Sequence, residues 1–391
     1  MAQLISEQLL GRLIGFDTTS TTSNLELIDF IRDYLDNFSI KSQLVHSDDQ
    51  TCANLYATIG PDDIGGVLLS GHTDVVPTAG QDWNSDPYQI KSDDRAFFGR
   101  GACDMKGFIA CALAAVPQMV AQNLNTPIHL AFSYDEEIGC VGVKKLIDAM
   151  QGFAVKPRIG LIGEPTEMKM VPGHKGKAAF RVEVTGSSCH SAYISSGVNA
   201  VEYAAELISF IRNMNREVQQ RQQLDEGYSV PHSTFHVGNV SGGTALNIVP
   251  NQCQFEFEVR NLPQDKLDDL VHEIRHYAME QLLPDMQARF EQSDILFTPV
   301  SHYPGLLTDI DSTVIEYTRS INPVKEIGDK VSFGTEAGLF DQQLGIKSVV
   351  CGPGSIDQAH KPNEFVTREQ MQYCDRLISN LIDRCKTNFP N

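Results

Sequence analysis

A chain of 391 residues is longer than one hydrophobic core usually organises, so two domains, or one large domain carrying an insertion, are expected. Hydrophobic residues at 41% and charged residues at 21% place it among ordinary globular proteins and exclude a disordered or collagen-like chain. Its 31 lysines and arginines stand against 50 acidic residues, and the resulting formal charge of -19 repels nucleic-acid phosphates and anionic lipid headgroups, so neither nucleic acid nor a membrane surface is an expected partner.

Residues 1–38 read as amphipathic helical segments carrying acids, without a basic stretch followed by an apolar one, so no secretory leader is expected. No apolar run reaches the roughly 18 residues that a membrane span needs. From 65 to 171 short apolar runs alternate with helical stretches, the pattern of strands that cross over through helices. Strands are expected at 67–70, 128–133 and 159–162, with an alanine-rich helix over 106–121. Residues 178–293 follow a different pattern, with strands at 180–185, 233–240 and 253–259, and helices at 199–223 and 265–283. This is a compact α+β satellite. A buried strand like those of the first part returns at 347–351, followed by a glycine-rich turn and a final amphipathic helix over 368–384. The expected domains are therefore 1–177 with 294–391, and an inserted unit, 178–293. Nine cysteines are scattered, odd in number and never spaced as CxxC, which argues against a disulfide framework or a thiolate zinc site and fits a reducing, cytoplasmic location.

Polar clusters end each expected strand. The first runs into Gly71-His72-Thr73-Asp74, with the imidazole and the carboxylate two residues apart and on one side of an extended chain. Either His72 is a metal ligand oriented by Asp74, or the pair is an ordinary surface hydrogen bond. A glycine-rich loop, Gly99-Arg100-Gly101-Ala102-Cys103-Asp104, places one acid just before the alanine-rich helix; the spacing is not that of a phosphate-binding loop, and Asp104 opposes a phosphate. Asp135-Glu136-Glu137 ends the second strand, and alone it reads as a solvated acidic turn. Glu164 ends the third, and His360 follows the late strand. Ligands of open α/β sheets bind beyond the carboxyl ends of the strands. Pooled there, His72, Asp104, Glu137, Glu164 and His360 form a sulfur-free donor set suited to a catalytic dinuclear zinc site, which leaves Glu136 as a base.

These residues resemble the dizinc metallopeptidase and deacylase family that includes acetylornithine deacetylases, succinyl-diaminopimelate desuccinylases, aminoacylases and glutamate-releasing carboxypeptidases. The resemblance spans essentially the whole chain, through Ser70-Gly-His-Thr-Asp-Val-Val-Pro77, Gly99 to Gly107, Asp135-Glu-Glu-Ile-Gly139 and Gly163-Glu-Pro-Thr166. It implies an α/β catalytic zinc-peptidase domain with a mixed sheet flanked by helices, and an inserted ferredoxin-like α+β domain that mediates homodimerisation. It also implies two zinc ions, with Asp104 bridging, His72 and Glu164 on one ion, and Glu137 and His360 on the other. Glu136 becomes the general acid/base and Asp74 the partner of His72. His190 matches a histidine that reaches the partner subunit's site. Asn247 and Arg260 match substrate-contacting positions, although Arg260 also suits a structural ion pair. The blocks Phe333-Gly-Thr335-Glu336-Ala-Gly-Leu339 and Gly352 to Glu364 are most similar to the acetylornithine deacetylase branch, which points to an N-acyl amino acid substrate, with Thr335 and Glu336 as further contacts and Glu336 the candidate partner of an ornithine ammonium. Cobalt or manganese also suits such oxygen-rich ligands. Other acyl amino acids or dipeptides are the alternatives within the family, and a non-catalytic metal binder is the alternative outside it.

One rival motif is present. His272-Glu273-Ile274-Arg275-His276 matches HExxH literally. On a helical wheel Leu267, Leu270, Val271 and Ile274 form the apolar arc and the two histidines lie opposite, facing solvent or a partner rather than a buried catalytic zinc. His232 and His236 share the spacing of four, but Pro231 and the strand that follows deny them a common helical face.

Overall fold

The computed structural model describes residues 4–220 and 224–388. The chain forms two compact units. The first runs through Gly173, then from Leu306 to Lys330, and again from Thr335 onward; the second comprises His174–Gly305 with Val331–Gly334.

The first unit is built on a six-stranded sheet in the order Ser42–His46, Ala53–Ile59, Ile128–Ser133, Val67–His72, Ile159–Pro165, Lys347–Gly352. The last four strands are mutually parallel, and Ala53–Ile59 runs antiparallel to both of its neighbours, so the sheet is mixed. Val67–His72 and Ile159–Pro165 are buried along their whole length. That is why they read as unbroken apolar runs rather than alternating ones. Ile128, Leu130 and Phe132 enter one continuous core with Leu9, Leu13, Phe108, Leu377 and Leu381. The alanine-rich segment forms two helices, Lys106–Ala114 and Val116–Ala121, rather than one over 106–121. The break is at Ala115, because Pro117 has no amide hydrogen to donate back into the preceding turn. Gly163 allows close packing against this helix: a Cβ there would lie 2.0 Å from the Phe108 ring. No helix among the described residues is long and apolar enough to cross a membrane.

The second unit is a four-stranded antiparallel sheet in the order Thr234–Gly242, Gln252–Asn261, Gly176–Thr185, Asp294–Tyr303. With the helices Ala200–Gln220 and Leu267–Tyr277 its chain order is βαββαβ, the ferredoxin-like arrangement. The helix expected over 199–223 is described over Ala200–Gln220, and residues 221–223 lie outside the described residues. Alternate residues of Gly176–Thr185 are buried, so Phe180, Val182 and Val184 pack with Leu207, Ile211 and Ile274. Asp294–Tyr303, expected to open the return of the catalytic domain, is instead the fourth strand of this sheet. Its residues Ile295 and Phe297 enter the same core, which places the edge of the unit beyond the expected 293. His272 and His276 are exposed on their helix while Leu267, Leu270, Val271 and Ile274 are buried.

His129, on the strand Ile128–Ser133, is 3% exposed and its Nδ1 lies 2.9 Å from the Tyr56 hydroxyl and 3.0 Å from that of Thr58. Burial lowers its pKa from 6.5 to about 4. A histidine held neutral in this way contributes its full stabilisation above pH 6.5. The contribution is lost as pH falls from 6.5 toward 4, because there the unfolded chain binds the proton that the folded one refuses. His129→Gln is expected to lose less unfolding free energy than the wild type between about pH 7 and about pH 4.5, as read from urea unfolding at both pH values.

Candidate active site

Four parallel strands deliver their carboxyl ends to one edge of the first unit, and the polar clusters gather there. His72 is the last residue of its strand and 1% exposed. Its Nε2 lies 3.0 Å from Asp104 Oδ1 and 3.8 Å from Glu164 Oε2. The other oxygen of Asp104, Oδ2, lies 3.3 Å from His360 Nε2, which in turn is 2.9 Å from Glu137 Oε2. Asp104 therefore presents one oxygen to each of two imidazole–glutamate pairs. Ligand atoms of His72, Asp104 and Glu137, and separately of His72, Glu136 and Glu164, all fall within 4.8 Å of one another, close enough to share an ion.

The electrostatics of the cluster are one-sided. Burial raises the pKa of Glu164 to about 7, and burial together with the charge of Asp104 raises that of Glu137 to about 7. Burial, with Glu164 adding repulsion, pushes Glu136 well above the carboxylate range. Burial opposes ionisation of Asp104, but His360 and His72 outweigh it and hold that carboxyl below its ordinary value. Conversely, His360 is raised to about 10 by Asp104 and Glu137. The positive charge facing these acids comes from His72 and His360. Hard oxygen donors and imidazole nitrogens with this excess of buried negative charge are the chemistry of a divalent-metal site, and the residues present fit two ions.

Asp74 does more than pair with His72. His72 Nδ1 lies 3.0 Å from the backbone carbonyl of Asp74 and 3.5 Å from its carboxylate. That carboxylate accepts the backbone N–H of Glu136 at 3.0 Å, the N–H of Glu137 at 3.2 Å and the Ser20 hydroxyl at 2.7 Å. It thus ties the strand that bears His72 to the turn that bears both glutamates. Glu336 is 1% exposed, and its two oxygens accept the hydroxyls of Ser70 and Ser133. Thr335 is buried, its hydroxyl accepting the Ala337 N–H. In the second unit His190 and Asn247 are exposed and held together by a backbone bridge between His190 and Ile248 and by the Ser191 N–H donated to Asn247 O. Arg260 is half-buried and paired with Glu258 at 2.9 Å, the ion pair that its strand-end position permits. His272 and His276 join neither donor cluster.

Sequence reasoning passes over the residue that organises the Asp104 loop. Glu364 is 1% exposed; one oxygen accepts the N–H groups of Cys103 and Asp104 at 3.0 and 3.2 Å, and the other accepts Gly101 N–H at 3.0 Å and the Arg100 guanidinium at 2.8 Å. Arg100 also donates to Gln81, whose amide donates to the His360 carbonyl at 2.9 Å. His360 occupies the left-handed region at φ +61, and this carbonyl contact helps to hold it there. The signal in the sequence is a motif carrying one acid more than ligation requires, Asn363-Glu364 after the histidine.

The profile of Peptidase family M20/M25/M40 matches residues 68–384. The chain belongs to this family. An acetylornithine deacetylase of Pasteurella multocida (strain Pm70) is 32% identical over 382 residues, covering 96% of each chain. One from Myxococcus xanthus is 34% identical over 381 residues, covering 95% of each. Among solved structures, the M20 family metallo-carboxypeptidase Sso-CP2 from Sulfolobus solfataricus has a TM-score of 0.76 at 18% identity, covering 97% of this chain and 99% of that one. A dinuclear metal binding peptidase of the M20 family, the YXEP protein of Bacillus subtilis, has a TM-score of 0.65 at 16% identity, covering 96% and 97%. At such identities the structural likeness establishes the fold. The protein is therefore an M20 hydrolase with a candidate metal site at the carboxyl edge of its main sheet.

In this M20 hydrolase the bonds to Glu364 hold the Asp104 backbone in place. Glu364→Gln turns part of that acceptor group into a donor facing other donors. It is expected to weaken divalent-metal binding about 10- to 100-fold, measured by competition with a chromophoric chelator, with the circular dichroism spectrum unchanged.

Proposed function

We propose that this chain is a two-metal amidohydrolase of N-acyl amino acids, and that its substrate is N-acetylornithine, cut to ornithine and acetate as a step of arginine biosynthesis in the cytoplasm. The observation that carries the reading is the shared Asp104 carboxylate, one oxygen toward His72 and Glu164 and the other toward His360 and Glu137, with Glu136 left over beside them. The substrate rests on the relatives named acetylornithine deacetylase, which align with nearly the whole chain.

Asp104 is assigned as the bridging ligand, His72 and Glu164 as ligands of one metal, and Glu137 and His360 as ligands of the other. Zinc is the proposed ion, with cobalt or manganese able to take its place. When bound, such ions act as Lewis acids on an amide carbonyl and lower the pKa of water. Glu136 is the general acid/base: its carboxylate takes the proton of the attacking water as the new C–O bond forms, and returns it to the amine nitrogen as the C–N bond breaks. Asp74, by holding the N–H groups of Glu136 and Glu137, keeps base and ligand in register. Asn247, Arg260, Thr335 and His190 are assigned to the substrate, Arg260 through its carboxylate and His190 as a donor to the tetrahedral oxygen supplied to the neighbouring subunit. Glu336, whose oxygens each keep acceptor capacity beyond one serine hydroxyl, is assigned as the partner of the substrate ammonium.

Steady-state hydrolysis of N-acetylornithine, N-succinyl-diaminopimelate and N-acetylmethionine tests the reading. Acetylornithine should be preferred, turnover should vanish on chelation, and Glu136→Gln should lose at least about 100-fold in kcat with its metal content intact. Preference for another acyl amino acid would overturn the substrate alone. No hydrolysis with any metal would overturn the enzyme.

The second unit is the proposed surface of a homodimer. It exposes Val240 on the edge strand of its sheet, Leu246 and Ile248 on the following loop, and Leu296 and Val300 on the opposite edge strand. Unpaired strand edges with apolar side chains favour pairing with another chain. Sedimentation equilibrium is expected to give twice the 43.2 kDa chain mass, and Val240→Lys to shift it toward the monomer.

A further inference from the structure

Cys140 is a buried cysteine that the proposed chemistry does not use. It is fully buried and caps the N-terminus of the helix Val141–Gln151 in the left-handed region, at φ +53 and ψ +45. Residues with a Cβ, apart from asparagine, aspartate and histidine, rarely occupy that region, and glycine would be the unstrained choice. A side chain held in such a strained conformation is a place to look for a role. The thiol donates to Glu136 Oε1 at 3.2 Å, and the backbone N–H of the same residue donates to Glu136 O at 2.8 Å. Further backbone bonds close the turn: Gly139 N–H to Glu136 O, Val141 N–H to Asp135 O and Gly142 N–H to Tyr134 O. None of these needs a side chain at position 140.

We infer that Cys140 is a positioning residue for Glu136: its S–H fixes one carboxylate oxygen and leaves the other to exchange the proton with water and leaving amine. The inference rests on the reading of Glu136 as the general acid/base. Glu136 Oε1 carries the thiol contact, while the glutamate also shares a donor cluster with His72 and Glu164, so a rotation of its carboxylate would carry the base toward a ligand position. Burial first, and then the anions around the sulfur, Glu136 ahead of Glu336 and Glu164, keep it a protonated donor rather than a thiolate.

The test uses the metal-loaded full chain and four variants: Cys140→Ala, Cys140→Ser, Glu136→Gln and the Glu136→Gln/Cys140→Ala double variant. Cys140→Ala is expected to lower kcat about 3- to 30-fold, with KM and metal content unchanged, and Cys140→Ser, which retains a donor, to recover most of the loss. In the Glu136→Gln background Cys140→Ala should add nothing further, because a residue that acts only through Glu136 has nothing left to position. Infrared spectroscopy gives a readout apart from turnover. The S–H stretching band absent from Cys140→Ser should be shifted as in a hydrogen-bonded thiol, and should move to the position of a free thiol in Glu136→Ala. Wild-type kcat in Cys140→Ala, or an S–H band insensitive to Glu136, overturns the inference while leaving Glu136 as the base. Parallel losses of kcat, KM and bound metal that serine does not rescue overturn it as well, by showing a packing role. Full turnover in Glu136→Gln overturns both readings.

Discussion

Everything at the carboxyl edge of the main sheet depends on the cost of burying like charges together. Asp104, Glu136, Glu137 and Glu164 gather with two imidazoles as their nearest cations, and three of the four carboxyl groups are pushed upward in pKa as a result. An isolated buried carboxylate is costly, and several are tolerable only when compensating charge is present. The shared Asp104 carboxylate makes that compensation geometrically specific: it sits between two imidazole–glutamate pairs and gives one oxygen to each. In this sense the fold supplies an electrostatic demand of the kind that divalent cations would meet.

Holding such a cluster in place requires rigid support, and the support comes from anions that the site does not use for ligation. Asp74 commits its carboxylate to two backbone N–H groups of the Glu136–Glu137 turn and to Ser20. Glu364 commits its own to three N–H groups of the Asp104 loop and to Arg100. Each converts backbone donors that would be orphaned near a buried site into fixed points, so loops behave as part of the sheet. Asp135, Cys140 and His360 adopt left-handed backbone conformations in the same region, and that local strain is carried by the bonds around them.

The two units solve different problems. The first buries strands on both faces and concentrates its polar residues at one end, the arrangement by which open α/β sheets leave a crevice beyond their strand ends. The second has a single core on one sheet face, with alternate residues of its strands exposed, and it carries His190, Asn247 and Arg260. Relatives aligned over nearly the whole chain span both units, so neither is an addition peculiar to this protein.

Several features are determined by the sequence alone. Unbroken apolar strands ending in His72, in Asp135-Glu136-Glu137 and in Glu164 announce a parallel sheet and its crevice, because hydrophobic period and strand-end polarity are local properties. The HExxH string falls on the same ground, since the wheel puts its histidines opposite the apolar arc. What only the tertiary structure decided was each matter of pairing over long sequence separation. Asp294–Tyr303 joins the second sheet because Gly176–Thr185 offers it a free edge, a choice that no window of sequence records. Asp74 turns its carboxylate to the amides of Glu136 and Glu137 as well as to the histidine two residues away, Glu336 accepts the hydroxyls of Ser70 and Ser133, and Glu364 takes the amides of a loop some 260 residues earlier. Composition and periodicity specify which residues are buried or aligned along one element. Which donor meets which acceptor depends on the packing of elements brought together from distant parts of the chain.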